Sequence, residues 1–185
     1  MELELSRDST TNTVLRIPGG RPLYHIHTPS MFSRTTTIYK IPETNVQRYE
    51  DAEKMTDVEP KAEEEMARIY WHTISSSRLI YDGRALEFKT FLKSKGFRGD
   101  RVFIGPDGKN YKWHEGWNGP RLELADGSKP AKTVAKLRQG NFFTGRKAVL
   151  EIDPSVDHMR DLVVITFVFI ETRRRERELQ QAAAA

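Results

Sequence analysis

The sequence contains no cysteine among its 185 residues. A chain without cysteine cannot form a disulfide framework, a cysteine-ligated zinc site or a thiol nucleophile. Charge of one sign is not strongly in excess, because 30 lysine and arginine residues face 26 acidic ones. A net charge of +4 is weak for a dedicated nucleic-acid-binding protein, so we expect no nucleic-acid partner. The length fits one domain of about 100–200 residues.

Long apolar runs are also missing. The longest covers residues 162–170, interrupted only by Thr166. A membrane-spanning helix needs about 20 apolar residues. The acidic residues 1–5 resemble neither a secretory signal nor a transit peptide, and neither end has a lipidation motif. We therefore expect an intracellular, cytoplasmic protein without a transmembrane segment; association with a membrane surface or with the nucleus stays open.

The motifs of common catalytic sites are absent, including the nucleophile elbow, the Walker loop, the dinucleotide fingerprint and the zincin helix. His25 and His27 are separated by one residue, so on a strand both imidazoles would share a face, as two ligands of one metal do. No further ligand is marked by the spacing. We expect no catalytic residue, no metal and no cofactor; an enzyme site near His25 and His27 is the alternative.

Short β-branched and aromatic segments, separated by turn signals, recur along most of the chain. Asp107-Gly108 and Asp126-Gly127 supply the positive φ angles that tight hairpin turns need. The predicted strands cover residues 11–17, 23–28, 35–41, 66–74, 78–81, 101–104, 110–113, 121–124, 133–137 and 147–152, and residues 86–92 are predicted to form either a bent strand or a short helix. Turn signals every 8–15 residues favour a β-sandwich or a β-barrel.

Residues 157–178 give conflicting local signals. The valine, isoleucine and phenylalanine of residues 162–170 favour a strand. Asp157 and Asp161 at the start and the arginines at 173–175 match the dipole of a helix. We predict a helix over about 157–176. A helix that is apolar on every side must be enclosed by other elements.

The chain resembles a large fungal family of uncharacterised, mostly single-domain proteins known from mushroom-forming fungi. The resemblance spans nearly the whole sequence. The residues that carry it include Asn12-Thr13-Val14-Leu15, Ala67-Arg68-Ile69-Tyr70-Trp71-His72, the hairpin Phe103-Ile104-Gly105-Pro106-Asp107-Gly108-Lys109-Asn110-Tyr111-Lys112-Trp113, and Asp161-Leu162-Val163-Val164-Ile165-Thr166-Phe167-Val168-Phe169-Ile170-Glu171.

That family is similar to the tubby C-terminal-like group, which includes LURP-one-related proteins and phospholipid scramblases. The resemblance implies a mainly β fold: a closed or nearly closed antiparallel β-barrel around a buried apolar C-terminal helix. It also implies phosphoinositide binding or a membrane-associated role, although a shared fold does not establish a function. No lipid-binding residue of tubby matches a position here, so none is transferred.

The basic residues cluster between positions 128 and 150, a stretch without any acid. Such a cluster suits the phosphates of a ligand, although a solvated basic face is the simpler interpretation. The candidate anion-binding residues are Lys129, Lys132, Lys136, Arg138, Arg146 and Lys147. We expect a non-enzymatic domain that binds an anionic phospholipid headgroup or a protein partner, with a purely protein-interacting module as a further alternative.

The expected organisation is one domain over residues 10–178. Residues 1–9 and 179–185 are predicted to be flexible tails. Residues 43–65 are acidic, polar and poor in large apolar side chains, which predicts a long loop or an insertion.

Overall fold

The computed structural model describes residues 1–30, 34–44, 46, 65–72, 76–96, 99–116, 118–141 and 144–184. The predicted loop over 43–65 therefore lies almost entirely outside the described residues. Thirteen strands and two α-helices make up the regular structure. The strands are β1 (Glu2–Leu5), β2 (Thr13–Arg16), β3 (Pro22–His27), β4 (Thr35–Lys40), β5 (Glu65–Tyr70), β6 (Arg78–Tyr81), β7 (Arg84–Glu87), β8 (Lys93–Ser94), β9 (Arg101–Ile104), β10 (Asn110–Gly116), β11 (Gly119–Leu124), β12 (Thr133–Arg138) and β13 (Val149–Ile152).

All thirteen strands belong to one antiparallel sheet in the order β7-β6-β5-β4-β3-β2-β1-β13-β12-β11-β10-β9-β8. The sheet is not closed, because β7 and β8 at its two edges are not paired with each other within the described residues. This corrects the prediction of a closed barrel. The connection between the edges is the short helix α1 (Phe88–Phe91), whose four residues continue the chain directly from β7.

The short connection requires the sheet to curl. From Glu87 to Lys93 the chain can span at most about 21 Å. A flat sheet of thirteen strands would separate its edges by about 58 Å, at about 4.8 Å between strands. The edges can meet α1 only if the sheet curves back on itself, which leaves an interior to be filled.

The C-terminal helix fills that interior. A 3-10 helix (Pro154–Met159) leads into α2 (Arg160–Ala183). Ten consecutive residues, from Leu162 to Glu171, are buried, and because they span almost three turns, every face of the helix is covered. The predicted C-terminal helix is confirmed, and it continues into the residues expected to form a tail.

Aromatic side chains join α2 to distant parts of the sheet. The indole N–H of Trp113, on β10, donates to Thr166 Oγ1 at 3.0 Å. Phe169 stacks on Phe88 of α1 with 3.8 Å between ring centroids, and on Trp71 beyond β5 with 5.7 Å. These contacts place one helix against strands that are far apart in the sheet order.

Each predicted strand segment overlaps an observed strand, although the bounds differ by up to several residues. Residues 86–92 divide between β7 and α1. Two strands, β1 and β8, were not predicted. β1 replaces the flexible tail expected over 1–9, because it pairs with both β2 and β13 and buries Leu3 and Leu5.

Candidate functional site

Four of the six predicted anion-binding cations pair with carboxylates, and three of these four lie beside β13. Lys136 Nζ lies 3.1 Å from Glu151 Oε2, and Arg138 Nε lies 3.0 Å from Glu151 Oε1. Lys132 Nζ lies 3.1 Å from Asp153 Oδ1. The acids come from β13 and the residue after it, so part of the charge in this acid-free stretch is offset by the neighbouring strand.

The other three predicted cations divide between two places. Lys129 is exposed in the loop between β11 and β12, before a cis peptide bond to Pro130. Arg146 and Lys147 line a cleft of about 330 Å³, together with Arg7 from the loop after β1. The structure therefore brings two of the six predicted residues together, and it adds one that the sequence pattern missed. We call this space the basic cleft.

One wall of the basic cleft is the bend between β12 and β13. Within this bend the N–H of Asn141 donates to the carbonyl of Arg146 at 2.6 Å. A Cβ atom at Gly140 would lie 2.8 Å from that same carbonyl oxygen. Only glycine permits so close an approach of two backbone segments, and the approach holds Arg146 and Lys147 at the cleft.

The opposite wall is the loop that follows β1. The N–H of Leu5 donates to the carbonyl of Ala148 at 2.9 Å, which fixes the two walls to each other. Asp8 supplies the lining's one carboxylate, and it accepts a hydrogen bond from Arg175 of α2 at 2.7 Å. The acid of the cleft is thus held by a cation outside the lining.

The basic cleft has an excess of positive charge. The guanidinium of Arg146 donates to the carbonyl of Gln139 at 3.4 Å, and it forms no salt bridge within the described part of the chain. Lys147 forms a salt bridge with Glu4, with 3.6 Å between Nζ and Oε1. Among the described residues that line the cleft, three side chains are cationic and one, Asp8, is acidic, and such an excess of positive charge attracts anions.

The arginine run near the end of the chain is held by acids of its own helix. Glu171 is fully buried, and its carboxylate accepts hydrogen bonds from Arg174 Nε at 2.7 Å and Arg175 Nε at 2.7 Å. Arg174 also pairs with Glu178 one turn further on. The arginine run therefore forms a salt-bridged helix end.

A family model for a family of unknown function, DUF6593, matches residues 8–176. The match covers the sheet from β2 onward and most of α2. The chain belongs to DUF6593. The prediction of a family without an assigned function is confirmed.

DUF6593 membership assigns no ligand and no residue role. An X-ray structure of a protein from Arabidopsis thaliana is similar to this DUF6593 chain at 12% sequence identity, with a TM-score of 0.44. The similarity covers 89% of this chain and 87% of the plant protein. None of the curated proteins compared with the chain matches it.

A second cleft of the DUF6593 chain, of about 390 Å³, lies where α2 begins. Asp161 accepts hydrogen bonds there from the Tyr24 hydroxyl at 2.6 Å and from Lys40 Nζ at 2.8 Å. Burial, together with Asp161, raises the pKa of Tyr24 well above its usual range. Arg160 is held by Asp157, with 2.9 Å between Nε and Oδ1. Acids and bases are paired here, so this cleft has less attraction for an anion than the basic cleft.

The two histidines considered as metal ligands lie close together on β3. The ring centroids of His25 and His27 are 5.6 Å apart, and the ring of Tyr39 lies 6.0 Å from that of His25. Among the residues that the structure describes, no group of three or more His, Cys, Asp and Glu side chains is placed to hold a metal ion. A metal-dependent site at these histidines therefore has no support from a third ligand in the described chain.

No helix within the described ranges has both the length and the apolar character required to cross a membrane.

Proposed function

We propose that this protein is a non-enzymatic binding domain whose basic cleft takes the phosphate-bearing headgroup of an anionic phospholipid. One observation carries the proposal. Arg7, Arg146 and Lys147 line one cleft from two separate loops, and Asp8, the one carboxylate among the described lining residues, is engaged by Arg175. Guanidinium and ammonium groups are the side chains that bind phosphate in proteins.

The volume of the cleft suits a small ligand group. A volume of about 330 Å³ is at the lower end of ligand sites. Headgroup binding also suits the relation to the tubby C-terminal-like group, and to a fungal branch of it, that the sequence resemblance implies. The proposal includes that relation, a sheet that is nearly closed around α2, and an intracellular location at the surface of a membrane.

Vesicle flotation tests the proposal. The full chain is mixed at low salt with vesicles of phosphatidylcholine alone, or of phosphatidylcholine with phosphatidylserine and a phosphatidylinositol phosphate. We expect binding to the anionic vesicles only, weakened by added salt because screening reduces surface electrostatics. Equal binding to both vesicle types contradicts the proposal.

A pair of variants locates the site. Replacement of Arg146 by glutamine (R146Q) should weaken binding to anionic vesicles about fivefold, because a cation near an anionic surface contributes about 1 kcal/mol. The matched control is K136Q, which removes a cation already paired with Glu151 on the outer face of β12. If K136Q weakens binding as much as R146Q does, binding depends on overall charge and the basic cleft is not the site.

A further inference from the structure

Arg101 is a charged residue on the inward face of the sheet. It lies directly opposite Trp113 in the pairing of β9 with β10. Cross-strand partners project to the same side of a sheet, and the side chain of Trp113 is fully buried against α2. Arg101 is therefore directed toward the interior at the end of the sheet where α2 leaves it.

The inward position next along β10 is Glu115, which is engaged by another cation. The carboxylate of Glu115 forms a salt bridge with Arg177 of α2. The backbone of Gly99 packs against the same carboxylate, since a Cβ atom there would lie 2.8 Å from Glu115 Oε2. Glu115, the acid beside Arg101 among the described residues, is thus already paired with Arg177.

Arg173 adds a third guanidinium to this region. It donates to the carbonyl of His72 at 2.8 Å and to Ser77 Oγ at 2.7 Å. It also pairs with Glu176, at 2.7 Å between Nη1 and Oε2. Its position is therefore fixed by neutral groups and by an acid of its own helix.

Arg101 itself has no such partner. Within the described ranges it forms no hydrogen bond and no salt bridge through its side chain. Burial lowers the pKa of Arg101, and the charges of Arg177 and Arg173 lower it further, whereas Glu115 opposes them. A cation that is partly withdrawn from water beside two others is unfavourable without a counter-ion.

We propose that Arg101 and Arg177, with Arg173 at their edge, form a phosphate-binding site at the end of the sheet where α2 emerges. This exit site is distinct from the basic cleft, because none of its three arginines lines that cleft. Access is available, since the side chain of Arg177 is 40% exposed and that of Arg173 is 25% exposed. A bound phosphate group would supply the counter-ion that Arg101 lacks within the described residues.

A titration with inorganic phosphate tests the exit site. In phosphate-free buffer the R101Q variant should be at least as stable as the wild type, because it loses only an unpaired charge. Added phosphate should raise the melting temperature of the wild type, and most of that rise should be lost in R101Q. The matched control is R121Q, which removes an exposed arginine paired with Glu123 on the outer face of β11.

Nuclear magnetic resonance places the bound phosphate. The guanidinium of Arg173 lies 5.3 Å from the ring centre of Trp71, so the indole N–H signal of Trp71 should shift during the titration. In the wild type and in R146Q the shift should saturate as phosphate is added. In R101Q the apparent affinity for phosphate should be at least roughly tenfold lower, because one charge-assisted contact is lost. Loss of the response in R146Q and not in R101Q would assign phosphate to the basic cleft and overturn the exit site.

Two further outcomes are decisive. An R101Q variant that is less stable than the wild type without phosphate, and that responds to phosphate equally, shows a purely structural role for Arg101 and contradicts the proposal. Phosphatidic acid vesicles then identify the source of the group. Competition between vesicles and inorganic phosphate at the exit site supports a lipid headgroup, whereas a phosphate response without vesicle binding supports a soluble phosphate.

Discussion

Asp153 links the end of β13 to the helical segment that enters the sheet. Its carboxylate accepts the N–H of Ser155 at 2.9 Å and a hydrogen bond from Lys132 at 3.1 Å. The contacts with Ser155, followed by that with Lys132, lower the pKa of Asp153 to about 2. An aspartate in an unfolded chain titrates near pH ~3.9. Because the folded value is the lower one, the stability from this group is present above pH ~4 and is lost as the pH falls toward 2.

The first prediction follows from this shift. Asparagine at position 153 (D153N) still accepts the N–H of Ser155, because asparagine is a good N-cap residue, but it does not titrate. The free energy of unfolding of the wild type should therefore fall more steeply than that of D153N between pH 4 and pH 2. Urea denaturation at a series of pH values measures both. Parallel curves for the two proteins would show that the Asp153 carboxylate has no special role.

The candidate cations show what sequence reasoning can and cannot reach for single residues. Arg146 and Lys147 were predicted because they belong to a run without acids. Lys136 and Arg138 belong to the same run, yet both pair with Glu151 across the β12–β13 pair, and Arg138 also pairs with Glu2 of β1. Arg7 was missed, because its loop reaches the basic cleft only after β1 has paired with β13. Charge counted along a sequence omits the acids that strand pairing brings alongside.

The ion pairs that hold the exposed end of α2 depend on Glu171, a carboxylate without access to water. Glu171 is buried, whereas its partners Arg174 and Arg175 have side chains that are 11% and 26% exposed. Removal of one member of a buried ion pair leaves the other charges uncompensated. Among the charged residues at this end of α2, substitution of Glu171 should therefore lower the stability of the protein most.

The second prediction concerns E171Q. This substitution keeps the side-chain size but leaves Arg174 and Arg175 without their buried counter-charge, so it should destabilise the protein by about 3–5 kcal/mol. The control is E178Q, because Glu178 pairs with the same Arg174 but has a side chain that is 55% exposed. That change should cost less than about 0.5 kcal/mol. Guanidinium denaturation of both variants measures the difference. Equal losses in the free energy of unfolding would contradict the role of Glu171 as the central counter-charge of Arg174 and Arg175.

Among the elements, the helix was predictable and two strands were not. Residues 162–170 have the composition of a strand, but the acids before them and the arginines after them match a helix dipole. A helix that is apolar on every face also fills the interior of the curled sheet. β8 has only two residues, and β1 has four, of which only Leu3 and Leu5 are apolar. Strands this short gain their stability from neighbours in the sheet, which local sequence does not specify.

For the whole molecule, the decisive feature is the relation between the sheet and α2. The predicted mainly β fold around a C-terminal helix is confirmed, whereas full closure of the sheet is not. Phe88 explains the gap: α1 directs this residue onto Phe169, so a helical turn occupies the place between β7 and β8. The sequence allowed either a bent strand or a short helix in this segment, and only packing against α2 decides between them.

The third prediction concerns cooperativity. Since α2 between Leu162 and Glu171 is buried on every face, its amides cannot exchange with solvent until the sheet opens. Hydrogen exchange of these amides should give the free energy of global unfolding, equal to that of β3 and β4. The amides near Leu179 provide the control, because that side chain is 72% exposed and the helix there should open locally. Exchange of the buried amides at a lower free energy than the sheet would contradict this arrangement.

The position of α2 after all thirteen strands has a consequence for biosynthesis. A ribosome completes every strand before it completes the helix on which their inward side chains pack. During that interval Leu15, Ile69 and Trp113 have no buried partner, and β1 waits for β13 to be made. Among the described strands only the β1–β13 pairing is distant in sequence, and such non-local contacts form slowly, while exposed apolar strands are prone to aggregate. We therefore expect the yield of folded protein to depend on how well the nascent strands are protected until α2 has been made.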